Sequence, residues 1–221
     1  MRGTIRPAQG YTNEREGEVS IFTYDVEYPE QRNRVTVAFR IILAIPHLII
    51  SQVWGYLAQI LAVIQWFIIL FTGKRNEAMW NLQRSWLNYY CRVLGYIDLL
   101  FDEYPAFASE TGPAPVRNAL SFEESADRLS SALRLIWMIP AVIIGALVSF
   151  GAAVLLVVSW FSIVITGKQS RGMWDFILKV ARFTLQLESY GLLMTDTYPK
   201  FGEGAMAAGS PMPPPPPAPM T

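Results

Sequence analysis

Two stretches of the chain, Ile41–Phe71 and Leu135–Ile165, are each 31 residues long and contain no Asp, Glu, Lys or Arg. About 20 apolar residues suffice to cross a bilayer, and the core helix of a soluble protein rarely runs so far without a charge. The two stretches therefore predict an all-α membrane protein. Charged residues make up 16% of the 221 residues, against about 25% in an ordinary soluble domain. The net charge is zero, so no overall field recommends nucleic acid as a partner. The single cysteine, Cys91, excludes an internal disulfide and a cysteine-based metal cluster. The segment Met1–Glu18 is polar and lacks the apolar core of a secretory signal. Insertion is then expected to depend on the first apolar stretch itself.

The second constraint is a duplication. A shift of 94 residues aligns Arg34–Phe107 with Arg128–Phe201 without gaps, giving 25 identities in 74 positions. Arg40 pairs with Arg134, Pro46 with Pro140, Trp66-Phe67 with Trp160-Phe161, and Thr72-Gly73-Lys74 with Thr166-Gly167-Lys168. Met79-Trp80 pairs with Met173-Trp174, and Asp102, Tyr104, Pro105 and Phe107 pair with Asp196, Tyr198, Pro199 and Phe201. Two similar units are expected to pack about a pseudo-twofold axis, as internal repeats in membrane proteins commonly do.

The organisation follows: a flexible arm over 1–19, a first unit over 20–107, a linker over 108–127, a second unit over 128–201, and a tail over 202–221. The aromatic and β-branched run Ser20–Tyr28 reads as a short strand, for which Val116–Phe122 is a candidate partner. The tail contains five consecutive prolines, Pro213–Pro217, and is expected to be extended or disordered, with a proline-binding partner as the alternative.

Each unit reads as a helical hairpin, giving about four long membrane-associated helices. Pro46 and Pro140 are expected to kink the first helix, leaving a short surface segment before a span from about Leu48 to Phe71. Trp66 and Trp160 suit an interfacial aromatic belt. Gly73 and Gly167 are expected C-caps, with Lys74 and Lys168 favourably placed at the negative end of the helix dipole. Thr-Gly-Lys lacks the preceding glycine and spacing of a phosphate loop, so that reading is rejected. The second helices, Glu77–Phe101 and Arg171–Thr195, carry a narrow polar seam. That seam fits a bundle interior or a helix lying in the interface.

Units this similar are expected to lie parallel, with an even number of crossings each. Four spans then put ten cations on the side of the termini and four, Lys74, Arg75, Lys168 and Arg171, on the other. The excess predicts cytoplasmic termini. In that arrangement Arg84, Arg92, Lys179 and Arg182 need partners within the membrane, for which Asp98 and Glu188 are available. The rival topology folds each apolar stretch into a re-entrant hairpin turning near Gly55 or Gly151.

The order Arg-x5-Pro, an apolar run ending in Trp-Phe, Thr-Gly-Lys, then Met-Trp-Asp-Phe and finally Thr-Asp-Thr-Tyr-Pro-Lys-Phe resembles the bacterial membrane family catalogued as domain of unknown function 4389. Asp25-Val26-Glu27-Tyr28-Pro29-Glu30 is similar to that family's lead-in. The first copy departs from the pattern at Asn81-Leu82, where Asp-Phe is usual. The resemblance covers about residues 20–202. It implies a bacterial membrane protein, often with this unit duplicated, with no activity and no catalytic residues to carry over; with the spans and charges above, the expected location is the bacterial cytoplasmic membrane, crossed several times.

Few residues invite chemistry. His47, the only histidine, is a candidate ligand for haem or a chlorophyll-type pigment, but its counterpart is Ala141. Asp102 and Asp196 recur; they fit a proton relay or, better, turn structure before Tyr104-Pro105 and Tyr198-Pro199. Arg40 and Arg134 fit lipid phosphates or snorkelling anchors. Cys91 aligns with Leu185 and reads as a small apolar residue. No nucleophile, base and orienting group form a set, and no metal-ligand spacing occurs. The expected function is a non-catalytic scaffold or accessory subunit, with membrane lipids and other membrane subunits as partners. A small transporter or lipid-handling protein and a pigment-binding subunit are the alternatives.

Overall fold

The computed structural model describes residues 22–107 and 116–203. The expected N-terminal arm, part of the linker and the Pro-rich tail lie outside the described residues. The elements are β1 (Thr23–Val26), α1 (Arg34–Thr72), α2 (Glu77–Ile97), β2 (Val116–Ala119), α3 (Arg128–Thr166) and α4 (Arg171–Gly191). The chain is mostly helical, as the sequence predicts, with one two-stranded antiparallel sheet.

Local chemistry sets the ends of the long helices. The Asn33 side chain accepts from the backbone N–H groups of Val35 and Thr36, and Asp127 does the same for Leu129 and Ser130. At the other end Gly73 and Gly167 both sit at φ 74, each donating its N–H to a carbonyl four residues back at 2.7 Å. A left-handed residue there suits glycine best, since it carries no Cβ to clash. Between these caps each helix runs 39 residues without a break, about 58 Å at 1.5 Å per residue. Pro46 and Pro140 are absorbed inside them, so the expected surface segment before the proline does not form. The re-entrant reading also falls: the helix continues through Gly55 and Gly151.

The second helices stop four residues short of expectation. Leu99 and Leu193, equivalent under the 94-residue shift, adopt φ 56 and 62. Large residues avoid this region, but both leucines are buried. The N–H of Leu100 reaches the Gly95 carbonyl at 2.9 Å and that of Met194 the Ser189 carbonyl at 3.0 Å, closing the helix end as a glycine would.

The two hairpins are inverted relative to each other. The Arg32 N–H bonds the Gly167 carbonyl at 3.2 Å, and the Ala126 N–H bonds the Gly73 carbonyl at 3.0 Å. The start of α1 therefore meets the end of α3, and the start of α3 meets the end of α1. The long helices are antiparallel, related by a pseudo-twofold axis perpendicular to their length. This corrects the expectation of parallel units. A repeat in sequence fixes the shift between copies but not the direction of the axis, and here the chain returns to the far end of α1 before starting α3.

Three layers result. The long helices form the first. Helix α2 packs along α1 and α4 along α3 as the second. The ribbon forms the third, with Thr23 paired to Ala119 and Val26 to Val116. Tyr24 and Val26 of the ribbon, with Phe22 before it, point inward against α2 and α4. The core is built there, around Trp86, Leu87, Cys91, Trp174, Ile177 and Leu185.

Candidate functional site: an apolar helix face and two arginine–aspartate clasps

The largest unusual surface belongs to α1 and α3. On α1 the buried residues step by three and four: Val37, Arg40, Ala44, His47, Ser51, Gly55, Ala58, Ala62, Gln65 and Ile69. The middle of this narrow stripe, Ser51 to Ala62, is built of small residues, which lets α2 approach closely. A Cβ on Gly55 would stand 3.3 Å from the Trp86 ring. Nearly all the rest of the helix is bare and apolar: Ile41, Val53, Ile60 and Phe71 are 72%, 65%, 58% and 80% exposed. Leu135, Leu147, Phe150 and Ile165 make the same face on α3. Exposed apolar patches of this extent mark a contact with lipid or protein. Both helices are long and apolar enough to cross a membrane. The shorter α2 and α4 do not share that character: most of their residues are covered by the other layers.

At each end of the long pair a buried arginine grips a carboxylate. Arg40 donates to the Tyr96 and Phe101 carbonyls, both at 2.9 Å, and to Asp102 Oδ1 at 2.7 Å, with its guanidinium 4.4 Å over the Tyr96 ring. Arg134 repeats this with the Tyr190 and Thr195 carbonyls at 2.6 and 2.8 Å, Asp196 Oδ1 at 2.6 Å, and the Tyr190 ring at 4.2 Å. The other oxygen of each aspartate accepts an N-cap residue's backbone N–H, from Asn33 and Asp127 respectively. A second arginine completes each clasp from a different place. Arg32 reaches Asp102 at 3.1 Å, whereas Arg75, from the first unit, reaches Asp196 at 2.6 Å. Arg40 and Arg134 are thus 3% exposed, and the expectation of lipid-facing anchors is corrected. An arginine beside a carboxylate and two carbonyls gains more than one snorkelling alone. Asp102 and Asp196 act as clasps for the hairpin end rather than as groups of a bare turn. Burial pushes the Asp196 carboxyl up, but hydrogen bonding and charge from Arg75 and Arg134 hold it net below the usual carboxylate range.

The repeated tryptophans stitch the units together. Trp66 Nε1 donates to the Ser131 carbonyl at 2.9 Å and Trp160 Nε1 to the Val37 carbonyl at 3.0 Å. Trp80 Nε1 donates to the Met194 carbonyl at 3.1 Å and Trp174 Nε1 to the Leu100 carbonyl at 3.0 Å. All four cross from one unit to the other. The indole N–H groups of Trp66 and Trp160 bond within the protein, while their rings stay partly exposed. Tyr104 and Tyr198 stack edge-on against Tyr96 and Tyr190, while Pro105 and Pro199 are buried behind them. Lys74 and Lys168 are exposed at opposite ends of the molecule, and Lys74 pairs with Glu124 at 2.8 Å.

The polar seams of α2 and α4 meet the ribbon. Arg182 donates to the Tyr24 carbonyl and to Asp25 Oδ1, both at 2.7 Å, and Arg84 donates to Asn118 Oδ1 at 2.6 Å. Arg84 and Arg182 thus bond the ribbon rather than Asp98 or Glu188, the partners the sequence offers. His47 is fully buried. Its Nδ1 lies 2.7 Å from Tyr89 Oη, Phe107 stacks on its ring at 4.4 Å, and Nε2 is sealed from solvent without a partner. The Tyr89 hydroxyl and the Phe107 ring occupy the surroundings in which the sequence places a pigment. Two apolar clefts flank the long pair at equivalent positions. One, of about 460 Å³, is lined by Trp66, Phe67, Arg134, Met138 and Leu192. The other, of about 380 Å³, is lined by Trp160, Phe161, Arg40, Ala44 and Leu99.

Sequence reasoning missed Arg32, Arg75 and the role of Trp80 and Trp174. The tryptophans were legible as repeated residues. Arg75 and Arg32 align with Gln169 and Ala126, so the repeat gave no signal for either.

The architecture defines a class: a duplicated helical hairpin whose two longest helices are long and apolar enough to cross a membrane. Within it, the chain belongs to the family described as Domain of unknown function (DUF4389), whose model matches residues 34–109 and 128–202, one copy on each unit. No curated protein and no solved structure matches the chain.

Proposed function

We propose that this protein is a non-catalytic integral membrane scaffold or accessory subunit of a larger complex, resident in the bacterial cytoplasmic membrane. The single observation that carries the reading is the unbroken apolar face of α1 and α3, which carries no charge between Ile41 and Phe71 or between Leu135 and Ile165. Water is a poor solvent for it, and lipid or the apolar flank of another subunit is a good one. The recurring polar residues support a structural role, because Arg40, Asp102, Arg134 and Asp196 are consumed in internal clasps. Purification in a gentle detergent is expected to recover partner proteins in fixed stoichiometry. A homogeneous, partner-free monomer contradicts the subunit role.

A second reading, lipid handling, has one observation in its favour. The two clefts are apolar, equivalent under the repeat, and open beside the exposed face. Phospholipid retained in fixed ratio through the same purification favours it over the scaffold.

A further inference from the structure

Resting on the membrane reading above, we infer that the molecule lies flat in one leaflet of a lipid bilayer, with α1 and α3 running along the membrane plane instead of crossing it. The occupant of the apolar face is then the acyl layer of a single leaflet, and both ends of the long helices emerge on the same side.

The position of the ribbon carries the argument. Gln83 donates to the Ala58 carbonyl and Trp86 to the Ser51 carbonyl, so α2 runs beside the middle of α1. Tyr24 Oη in turn donates to the Cys91 carbonyl, and Arg182 holds the Tyr24 carbonyl. The ribbon therefore crosses the middle of the molecule, on the side away from the long helices. If α1 stood along the bilayer normal, the ribbon would sit at mid-depth. A two-stranded sheet has two open backbone edges, and lipid offers no partner for their N–H and C=O groups. Glu27 and Lys179 are exposed on the same side, and such charges are expelled from the hydrocarbon centre. Laid flat, the molecule puts the apolar helices in lipid and the ribbon in water.

Three further features agree. The long helices measure about 58 Å, against about 30 Å of hydrocarbon, so a crossing leaves a large mismatch; a flat helix of about 10 Å diameter fits within one leaflet. Among the described residues the cations at the two ends nearly balance, with Arg32, Arg34, Arg40, Lys168 and Arg171 at one and Lys74, Arg75, Arg128 and Arg134 at the other. Balanced ends give no positive-inside signal for a crossing orientation. Finally, the pseudo-twofold axis lies perpendicular to α1 and α3. In the flat pose it coincides with the membrane normal, so both units meet the same surroundings, as their 25 shared residues suggest.

The test is single-cysteine labelling in a Cys91→Ala background. Lys74→Cys and Lys168→Cys mark the two ends, Lys179→Cys the ribbon side, and Val53→Cys the apolar face. A membrane-impermeant maleimide is added to sealed vesicles of each orientation prepared from expressing cells. Positions 74, 168 and 179 are expected to label from one and the same side, with position 53 protected from both. Labelling of 74 and 168 from opposite sides overturns the flat pose while leaving the membrane reading intact. Recovery of the chain in the soluble fraction, with position 53 reactive in water, removes the membrane reading itself.

Discussion

Replacing Asp196 with alanine is expected to destabilise the protein by about 3–5 kcal/mol, the cost of removing one partner from a buried ion pair. Two guanidinium groups depend on this carboxylate, those of Arg75 and Arg134, and their side chains are 0% and 3% exposed. Without Asp196 both cations lose their carboxylate, and water entering where Asp196 is 26% exposed replaces it only in part. Arg75 also holds the Leu193, Glu123 and Ser125 carbonyls, so the loop before α2 and the approach to α3 loosen with the clasp. Asp196→Asn is expected to lose less, because the amide oxygen still accepts hydrogen bonds. Unfolding midpoints in detergent micelles check both values. The pH dependence follows from the same geometry. The folded carboxyl titrates below its unfolded value, so its contribution is complete above the ordinary aspartate range and is lost as pH falls through the folded pKa.

Trp174→Ala is expected to cost a similar amount, about 3–5 kcal/mol for truncating a buried tryptophan. Its ring is 2% exposed. It meets Tyr28 edge-on at 5.3 Å, and its indole N–H joins the second unit to the Leu100 carbonyl of the first at 3.0 Å. The substitution opens a cavity at the junction of α4, the ribbon and the end of α2, and leaves a buried carbonyl unpaired. Trp174→Phe keeps most of the ring volume but not the bond, and is expected to recover a large part of the loss. If Trp174→Ala left the unfolding midpoint unchanged, the account of the tryptophans as stitches between the units would fail.

Much of this fold was legible in residue order. The 94-residue shift defined the units, Gly73 and Gly167 marked the ends of the long helices, and Ser20–Tyr28 with Val116–Phe122 contained the paired strands Thr23–Val26 and Val116–Ala119. The direction of packing was not legible, because a duplicated sequence reads the same whether its copies align or oppose. The burial of the arginines is hidden from the sequence for a related reason. A lone arginine before an apolar run looks alike whether it snorkels to a headgroup or bonds a carboxylate. The signal was present in Asp102 and Asp196, which stand 62 residues after Arg40 and Arg134 in the two copies. Read as a coupled pair, they point to a clasp. Trp66 and Trp160 were similarly read by residue type, while their partners lay in the opposite unit, beyond the reach of local pattern. The ends of α2 and α4 were overrun because leucine at a left-handed position carries none of the marks of a helix stop.

The most direct measurement is alkaline carbonate extraction of membranes from expressing cells, followed by centrifugation and quantitation of the chain in pellet and supernatant. Acyl chains covering α1 and α3 predict that the protein stays in the pellet until detergent is added. Release into the carbonate supernatant as a dispersed, detergent-free species would contradict it.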